Sequence, residues 1–325
     1  AASPKSVTRV SITTGQVSWK RELDATIVAG VAVGSAESAG LSAVVTDRGE
    51  LVLIGADGAI VRRFSLGGVA QEVPVLIGNI AVVRLTDNRV GGWDVQTGIR
   101  RWVTQRNLPN LVLHAQSGLL SKPSAPEEFA STTVGANDVV ANLPGGRILW
   151  INALTGGLRW ESQVATPKGT NEVERIVDLL GAPSSEGKDV CVSAYQSVVA
   201  CYNGETGKRL WTRDVAAVTP VAMDARFVYV ADTQSRLFAY TRATGSPAWS
   251  VETLQLRGLT APLSWGRALW LSDRFGYLHG LSREDGSTIA RLDLGSQASG
   301  AMRATNKGLV VQTQAGRLML IRTEG

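Results

Sequence analysis

Two histidines and two cysteines are the strongest candidate metal ligands and nucleophiles in the chain. His114 and His279 are too few for a multi-histidine metal centre. Neither falls in the spacing of a catalytic triad, and no Cys-x-x-Cys or glycine-rich phosphate loop is present. Asp and Glu are plentiful but scattered at turn positions, where bonding their own backbone explains them better than general acid–base work. The residues therefore predict a binding scaffold with no catalytic residues, no metal and no cofactor. Cys191 and Cys201 lie in the two runs of one hairpin, and its register decides their chemistry. If the turn has three residues, as between Asp273 and Tyr277, Ala194 pairs with Val198 and the cysteines oppose each other within disulfide reach. That bond requires an oxidising compartment. A two-residue turn would point them to opposite faces as two buried thiols.

The elements that position these residues are written in a repeat. In Trp93-Asp-Val-Gln-Thr-Gly-Ile-Arg-Arg-Trp102 a strand-like run meets Thr-Gly, and a tryptophan follows four residues after the glycine. Glycine supplies the positive φ of a tight hairpin turn, and the Thr or Asp before it bonds the backbone beyond. The turn recurs at Gly15, Gly58, Gly98, Gly156, Gly207, Gly245, Gly286 and Gly325, spaced 43, 40, 58, 51, 38, 41 and 39 residues apart. Trp19, Trp102, Trp160, Trp211 and Trp249 keep the four-residue offset, while Arg62 and Ala290 break it. Short alternating β runs fill the intervals, and no long amphipathic helix appears. A period near forty suits a four-stranded propeller blade. The predicted fold is all-β: an eight-bladed β-propeller of four-stranded antiparallel blades in a single domain, residues 1–325. The chain stops after its eighth turn without a closing Trp strand and begins with Thr14-Gly15 and Trp19. The N-terminal strand is therefore expected to join the last blade and close the ring.

Composition narrows the function classes. Hydrophobic residues at 44% and charged residues at 19% are a globular balance. No run of eighteen apolar residues could span a bilayer. The start, Ala1-Ala-Ser-Pro-Lys5, has neither an initiator Met nor an apolar signal core and reads as a processed or trimmed chain. The net charge of +5 is spread in pairs such as Arg62-Arg63 and Arg100-Arg101, which recur at strand ends. With no basic stripe interleaved with aromatics, a solvated sheet rim explains them and no nucleic-acid partner is expected. Two insertions stretch the repeat, at 110–132 and 165–183. They fall in consecutive units, and loops on a rigid scaffold are where such folds carry function.

The Thr/Asp-Gly-x-x-x-Trp units resemble the repeats of pyrroloquinoline-quinone-type propellers, some of which are quinone-dependent dehydrogenases. The vicinal Cys-Cys of those enzymes is absent here. Three further segments resemble the BamB family of propeller lipoproteins of the outer-membrane β-barrel assembly machinery. Leu108-Pro-Asn-Leu-Val-Leu-His114 is similar to that family's Pro-x-Leu-x-Leu-Arg stretch. Gly169-Thr-Asn-Glu-Val-Glu-Arg-Ile-Val-Asp178 is similar to its Gly-Ser-Thr-Glu-Ile-Asp-Arg-Leu-x-Asp insertion. Ser272-Asp-Arg-Phe-Gly-Tyr-Leu-His279 is similar to its Asp-x-Glu-Gly-Tyr-Leu-His turn. The resemblance implies a non-enzymatic monomeric scaffold at the periplasmic face of the outer membrane. Such a scaffold binds a POTRA domain of BamA, aids assembly of unfolded outer-membrane protein precursors, and is held by an N-terminal lipid anchor upstream of this sequence. It implies that Leu111, Leu113, His114, Arg175 and Asp178 carry the partner contact. His114 departs from the family's Arg, and Leu180 from a second Asp. Two alternatives stay open: core packing for the leucines, and a loop-stabilising cap for Asp178. As a whole-protein rival, a general envelope protein-interaction propeller also remains.

Overall fold

In a computed structural model of the chain, the residues described are 1–34, 38, 40–70, 72–106, 113, 118–121, 135, 137–168, 170–171, 175–300 and 302–322. Among them, strands form eight antiparallel sheets, each a meander in chain order. The sheets occupy residues 2–22, 32–65, 75–104, 119–163, 184–214, 222–251, 263–293 and 303–321. Six have four strands, and the first and last have three. Sheets 1–4 belong to one compact unit and sheets 5–8 to another.

The burial of each blade follows from its sequence. In sheet 3 the strands Ile80–Arg84 and Val90–Asp94 are buried throughout, whereas the outer strand Arg100–Thr104 is largely exposed. A strand covered on both faces reads as a nearly continuous apolar run, here with its charges, Arg84 and Asp94, confined to the strand ends, whereas the outer strand carries them along its exposed face. Apolar layers are shared between neighbouring sheets. Val45, Leu53, Val83 and Trp93 pack between sheets 2 and 3, and Val82, Val90, Leu149 and Ile151 between sheets 3 and 4. In the other unit, Tyr229, Leu237, Leu269 and Leu281 do the same for sheets 6 and 7.

The Thr/Asp-Gly turns have the chemistry their sequence predicts. Gly98 has φ +76° and donates to the Asp94 carbonyl at 2.8 Å, and Thr97 Oγ1 accepts the Ile99 N–H at 3.3 Å. Thr155, Thr206 and Thr244 repeat that bond two residues on, and Asp57 and Asp285 make it with a carboxylate oxygen. Just before each turn a one-residue register shift interrupts the pairing, as at Gly92/Trp93 and Trp150/Ile151. Such a bulge re-aims the side chains that follow.

That re-aiming gives the tryptophans their role, which is to seam one blade to the next. Trp102 Nε1 donates to the Ala153 carbonyl at 2.7 Å, and its ring covers Gly156, where a Cβ would come within 2.7 Å of it. Trp19 does the same to Ala56 and Gly58, Trp211 to Arg242 and Gly245, and Trp249 to Arg283 and Gly286. The second repeat, where Arg62 breaks the offset, seams through a different residue: Phe64 lies over Gly98.

Among the described residues the N-terminal strands pair with one another: Val17–Glu22 with Ser6–Val10, and Ser6–Val10 with Ala2–Ser3, as a three-stranded sheet, in place of the expected pairing with the last sheet. Arg303–Thr305, Gly308–Gln312 and Leu318–Ile321 form another. The Thr14-Gly15 turn lets its flanking strands pair locally, with far less loop-closure entropy than a partner about three hundred residues away would demand. The eighth turn mark, Glu324-Gly325, lies outside the described residues.

Asp94 ties one of these turns down. Its Oδ1 accepts the Gln96 and Thr97 N–H groups, and its Oδ2 accepts Arg101 at 2.8 Å and Asn79 at 3.0 Å. The Arg101 guanidinium, aided by the Thr97 and Gln96 N–H groups, holds its carboxyl down to about 2 against the cost of burial. A carboxyl held below its unfolded value of about 4 stabilises the fold fully above that pH. The contribution is lost as pH falls from about 4 towards about 2. Urea midpoints measured across that window should decline less steeply for Asp94→Asn than for the parent protein. Parallel curves would remove Asp94 from the acid response.

Candidate functional site

The two insertions meet at Asp178. This residue is 1% exposed, and both carboxylate oxygens are occupied. Oδ2 accepts the Leu113 N–H at 2.6 Å and Oδ1 the Gly145 N–H at 2.6 Å. Gly145 and Gly146, both at positive φ, form the turn between the second and third strands of sheet 4. Their side-chain-free backbone is what lets that turn offer an N–H to the loop. One carboxylate thus fastens residue 113, the 143–147 turn and the 175–182 segment together. Hydrogen bonds to a charged acceptor are the stronger class, contributing about 1.5–3 kcal/mol each.

The surroundings reinforce that clamp. Asn142 is fully buried within the apolar run Val139–Leu143; its side-chain amide donates to the Gly181 carbonyl at 2.9 Å, and its backbone N–H donates to the Gly118 carbonyl at 3.0 Å. Gly118 lies so close to Ala182 that a Cβ would meet its nitrogen at 2.4 Å. Gln163 Nε2 donates to the Gly145 carbonyl at 2.6 Å. Glu161 accepts Arg147 at 2.6 Å and Arg106 at 2.9 Å. Burial pushes its carboxyl up, and the two guanidiniums outweigh that to leave it below the usual range. Asn142, Gly145, Glu161 and Arg106 escape a reading of the insertions alone. A polar residue inside the run Val139–Leu143 and the Pro-Gly-Gly that follows were the signals available.

Leu113 is half-buried, and Arg175 is exposed. Asp178 is buried, and its carboxylate caps two backbone N–H groups. Leu180, where the family pattern has a second acid, is 1% exposed. Leu111 and His114 lie outside the described residues, as does most of 110–132. His279 Nε2 sits 2.8 Å from Asp273 Oδ2, but both are buried, and the adjacent Ser272 Oγ faces Thr260 Oγ1 instead. Nucleophile and base are thus separated, which is not the geometry of a triad. Among the described residues no cluster of three or more His, Cys, Asp or Glu is placed to hold a metal ion.

Cys191 and Cys201 stand directly opposite in strands Asp189–Ser193 and Val198–Asn203, on the three-residue-turn register, and are joined by a disulfide with Cα atoms 4.1 Å apart. Closing a ten-residue separation restricts the unfolded chain by about 2–3 kcal/mol. The Cys191→Ala/Cys201→Ala double variant should melt several degrees below the oxidised parent and be indifferent to reductant. An unchanged melting temperature would refute that contribution.

Sheets of this kind, seamed by a side chain laid on the next blade's turn glycine, define an eight-bladed β-propeller. The crystal structure of BamB from Moraxella catarrhalis superposes with TM-score 0.85 at 21% identity, covering 97% of this chain and 91% of that one. The quinohemoprotein alcohol dehydrogenase of Comamonas testosteroni gives 0.69 at 13% identity, covering 96% and 68%. At these identities the likeness concerns the fold alone. The chain belongs to the family of the outer membrane protein assembly factor BamB, whose model matches residues 3–251. It is 33% identical to the Bordetella pertussis member over 99% of this chain and 80% of that protein. It is 32% identical to the Burkholderia pseudomallei member over 97% and 79%.

Proposed function

We propose that this protein is a non-catalytic scaffold of the outer-membrane protein assembly machinery. In this reading residues 1–325 act as one propeller domain at the periplasmic face of the outer membrane, lipid-anchored in the full-length protein. It docks on a periplasmic POTRA domain of BamA through the stretch around Leu111, Leu113 and His114, with Arg175 at the rim, and so helps to position unfolded barrel precursors. The observation that supports this is the Asp178 clamp, which makes a rigid base out of the two stretches that interrupt the repeat. Leu113 is held by its backbone N–H, which leaves its side chain free to serve as the anchor. A preorganised apolar anchor ringed by polar groups is what an interface centre requires. Calorimetric titration with the BamA POTRA region tests it. Leu113→Ala should weaken binding by about 1–3 kcal/mol. A parent protein that does not bind, or a variant that binds equally well, defeats the assignment.

A further inference from the structure

A second surface stands out in the other compact unit, at the turn between the second and third strands of sheet 7. There three guanidiniums and two rings alternate in one ladder. Arg291 lies 3.9 Å from the Tyr277 ring centroid, Arg257 is 5.8 Å from Tyr277 and 5.0 Å from Phe275, and Arg274 is 5.0 Å from Phe275. Stacking of this kind is attractive at each step.

The ladder is held from below. Buried Asp273 accepts the Phe275 and Tyr277 N–H groups, Arg257 Nε at 2.5 Å and the His279 ring. Burial alone pushes the Asp273 carboxyl up, but His279, the two N–H groups and Arg257 outweigh it and keep it below the usual range. The Arg274 N–H donates to the Arg257 carbonyl at 3.0 Å, and its own carbonyl accepts Gln297. Gly258 lies against the Arg274 side chain, where a Cβ would meet Cδ at 3.2 Å.

Two large apolar side chains here are exposed. Phe275 is 56% exposed at the tip, although a ring of that size is ordinarily buried. Leu256, which immediately precedes Arg257 in the chain, is 62% exposed and held at φ +58° by a bond from its N–H to the Gln234 carbonyl. A leucine at positive φ is strained, and strain retained at an exposed position is a mark of function. Charge defines what would settle there. Asp273 neutralises Arg257, whereas Arg274 and Arg291 are exposed and have no carboxylate within ion-pair distance among the described residues.

We propose that Leu256 and Phe275, flanked by Arg274 and Arg291, form a docking surface for a short acidic segment of a partner protein that presents an apolar side chain between two carboxylates. The apolar side chain sits on Leu256 and Phe275, and each carboxylate meets a guanidinium, the geometry in which Arg binds best. Two uncompensated cations are too few for a nucleic acid, which draws its affinity from many phosphates. Two apolar side chains are too little to hold a membrane surface.

Fluorescence anisotropy on the whole chain tests this, using a labelled decapeptide with an Asp-Leu-Asp core in a Gly/Ser background. The Asn-Leu-Asn counterpart, a thymidine oligonucleotide and phosphatidylglycerol vesicles serve as rival ligands. The Asp peptide should bind, more tightly at low salt, and Arg274→Glu and Phe275→Ser should each weaken it about tenfold or more. Leu256→Gly separates this role from a structural one. Glycine accepts φ +58° without strain, so the variant should melt higher while binding the peptide several-fold more weakly. The proposal falls if the Asn peptide binds equally, if no peptide binds at about millimolar concentration, or if the three substitutions leave affinity unchanged. It also falls if the oligonucleotide or the vesicles bind instead and are lost with Arg274→Glu.

Discussion

Gly156→Ala will destabilise this protein by about 3 kcal/mol, roughly three times the effect of Gly15→Ala. The two glycines end the same Thr-Gly turn with the same backbone, φ +73° and +72°. An alanine at either must adopt the left-handed region, which costs about 1 kcal/mol. They differ in what lies above them. At Gly15 no described atom lies within 4 Å of an added Cβ, whereas at Gly156 the Trp102 ring lies at 2.7 Å. That contact is shorter than non-bonded carbons adopt, so the indole must lift and weaken its 2.7 Å bond to the Ala153 carbonyl. Overpacking of this kind costs about 1–3 kcal/mol beyond the backbone term. Denaturant unfolding of both variants measures the difference, provided the slope is unchanged. Equal losses would mean that the tryptophan tolerates displacement and that the seam contributes little.

The seams also show why the repeat was legible while the site was only partly so. Turn glycine, preceding Thr or Asp, and following tryptophan all act on near neighbours in sequence, so their spacing exposes them. Phe64 was invisible to a four-residue rule because it reaches the next turn from six residues after its own glycine, although its contact with Gly98 is the same kind of seam. The cysteine register was readable by transfer from a sister hairpin: Trp270↔Gly280 and Cys191↔Cys201 sit at corresponding positions of their strands. The local pairing of the N-terminal strands among the described residues was not legible, because nothing in their sequence says which edge a strand should seek. Asp178 stayed ambiguous because the sequence shows a carboxylate in an insertion, not the two N–H groups, 65 and 33 residues away, that consume it. The exposed Phe275 was read as part of a turn pattern. Only its exposure, with Arg257 and Arg274 on either side, separates it from a core aromatic.

The second large effect falls on Asp178. Asp178→Ala leaves the Leu113 and Gly145 N–H groups without their charged acceptor, at about 1.5–3 kcal/mol each. The loss should be regional, because the segments it joins can open without unfolding the sheets. Hydrogen exchange should show the Leu113 and Gly145 amides losing protection while amides in Val90–Asp94 keep theirs. If the POTRA reading holds, the same substitution should cut affinity for that domain at least tenfold, because Leu113 would then be ordered only on binding, at binding's expense. The salt dependence distinguishes positioning from direct contact. Removing an ion pair across an interface reduces the salt sensitivity of association, whereas removing a buried group that bonds only its own backbone leaves it intact. Asp178→Ala should therefore weaken binding by the same factor at low and at physiological salt. An altered salt slope would return Asp178 to the contact surface.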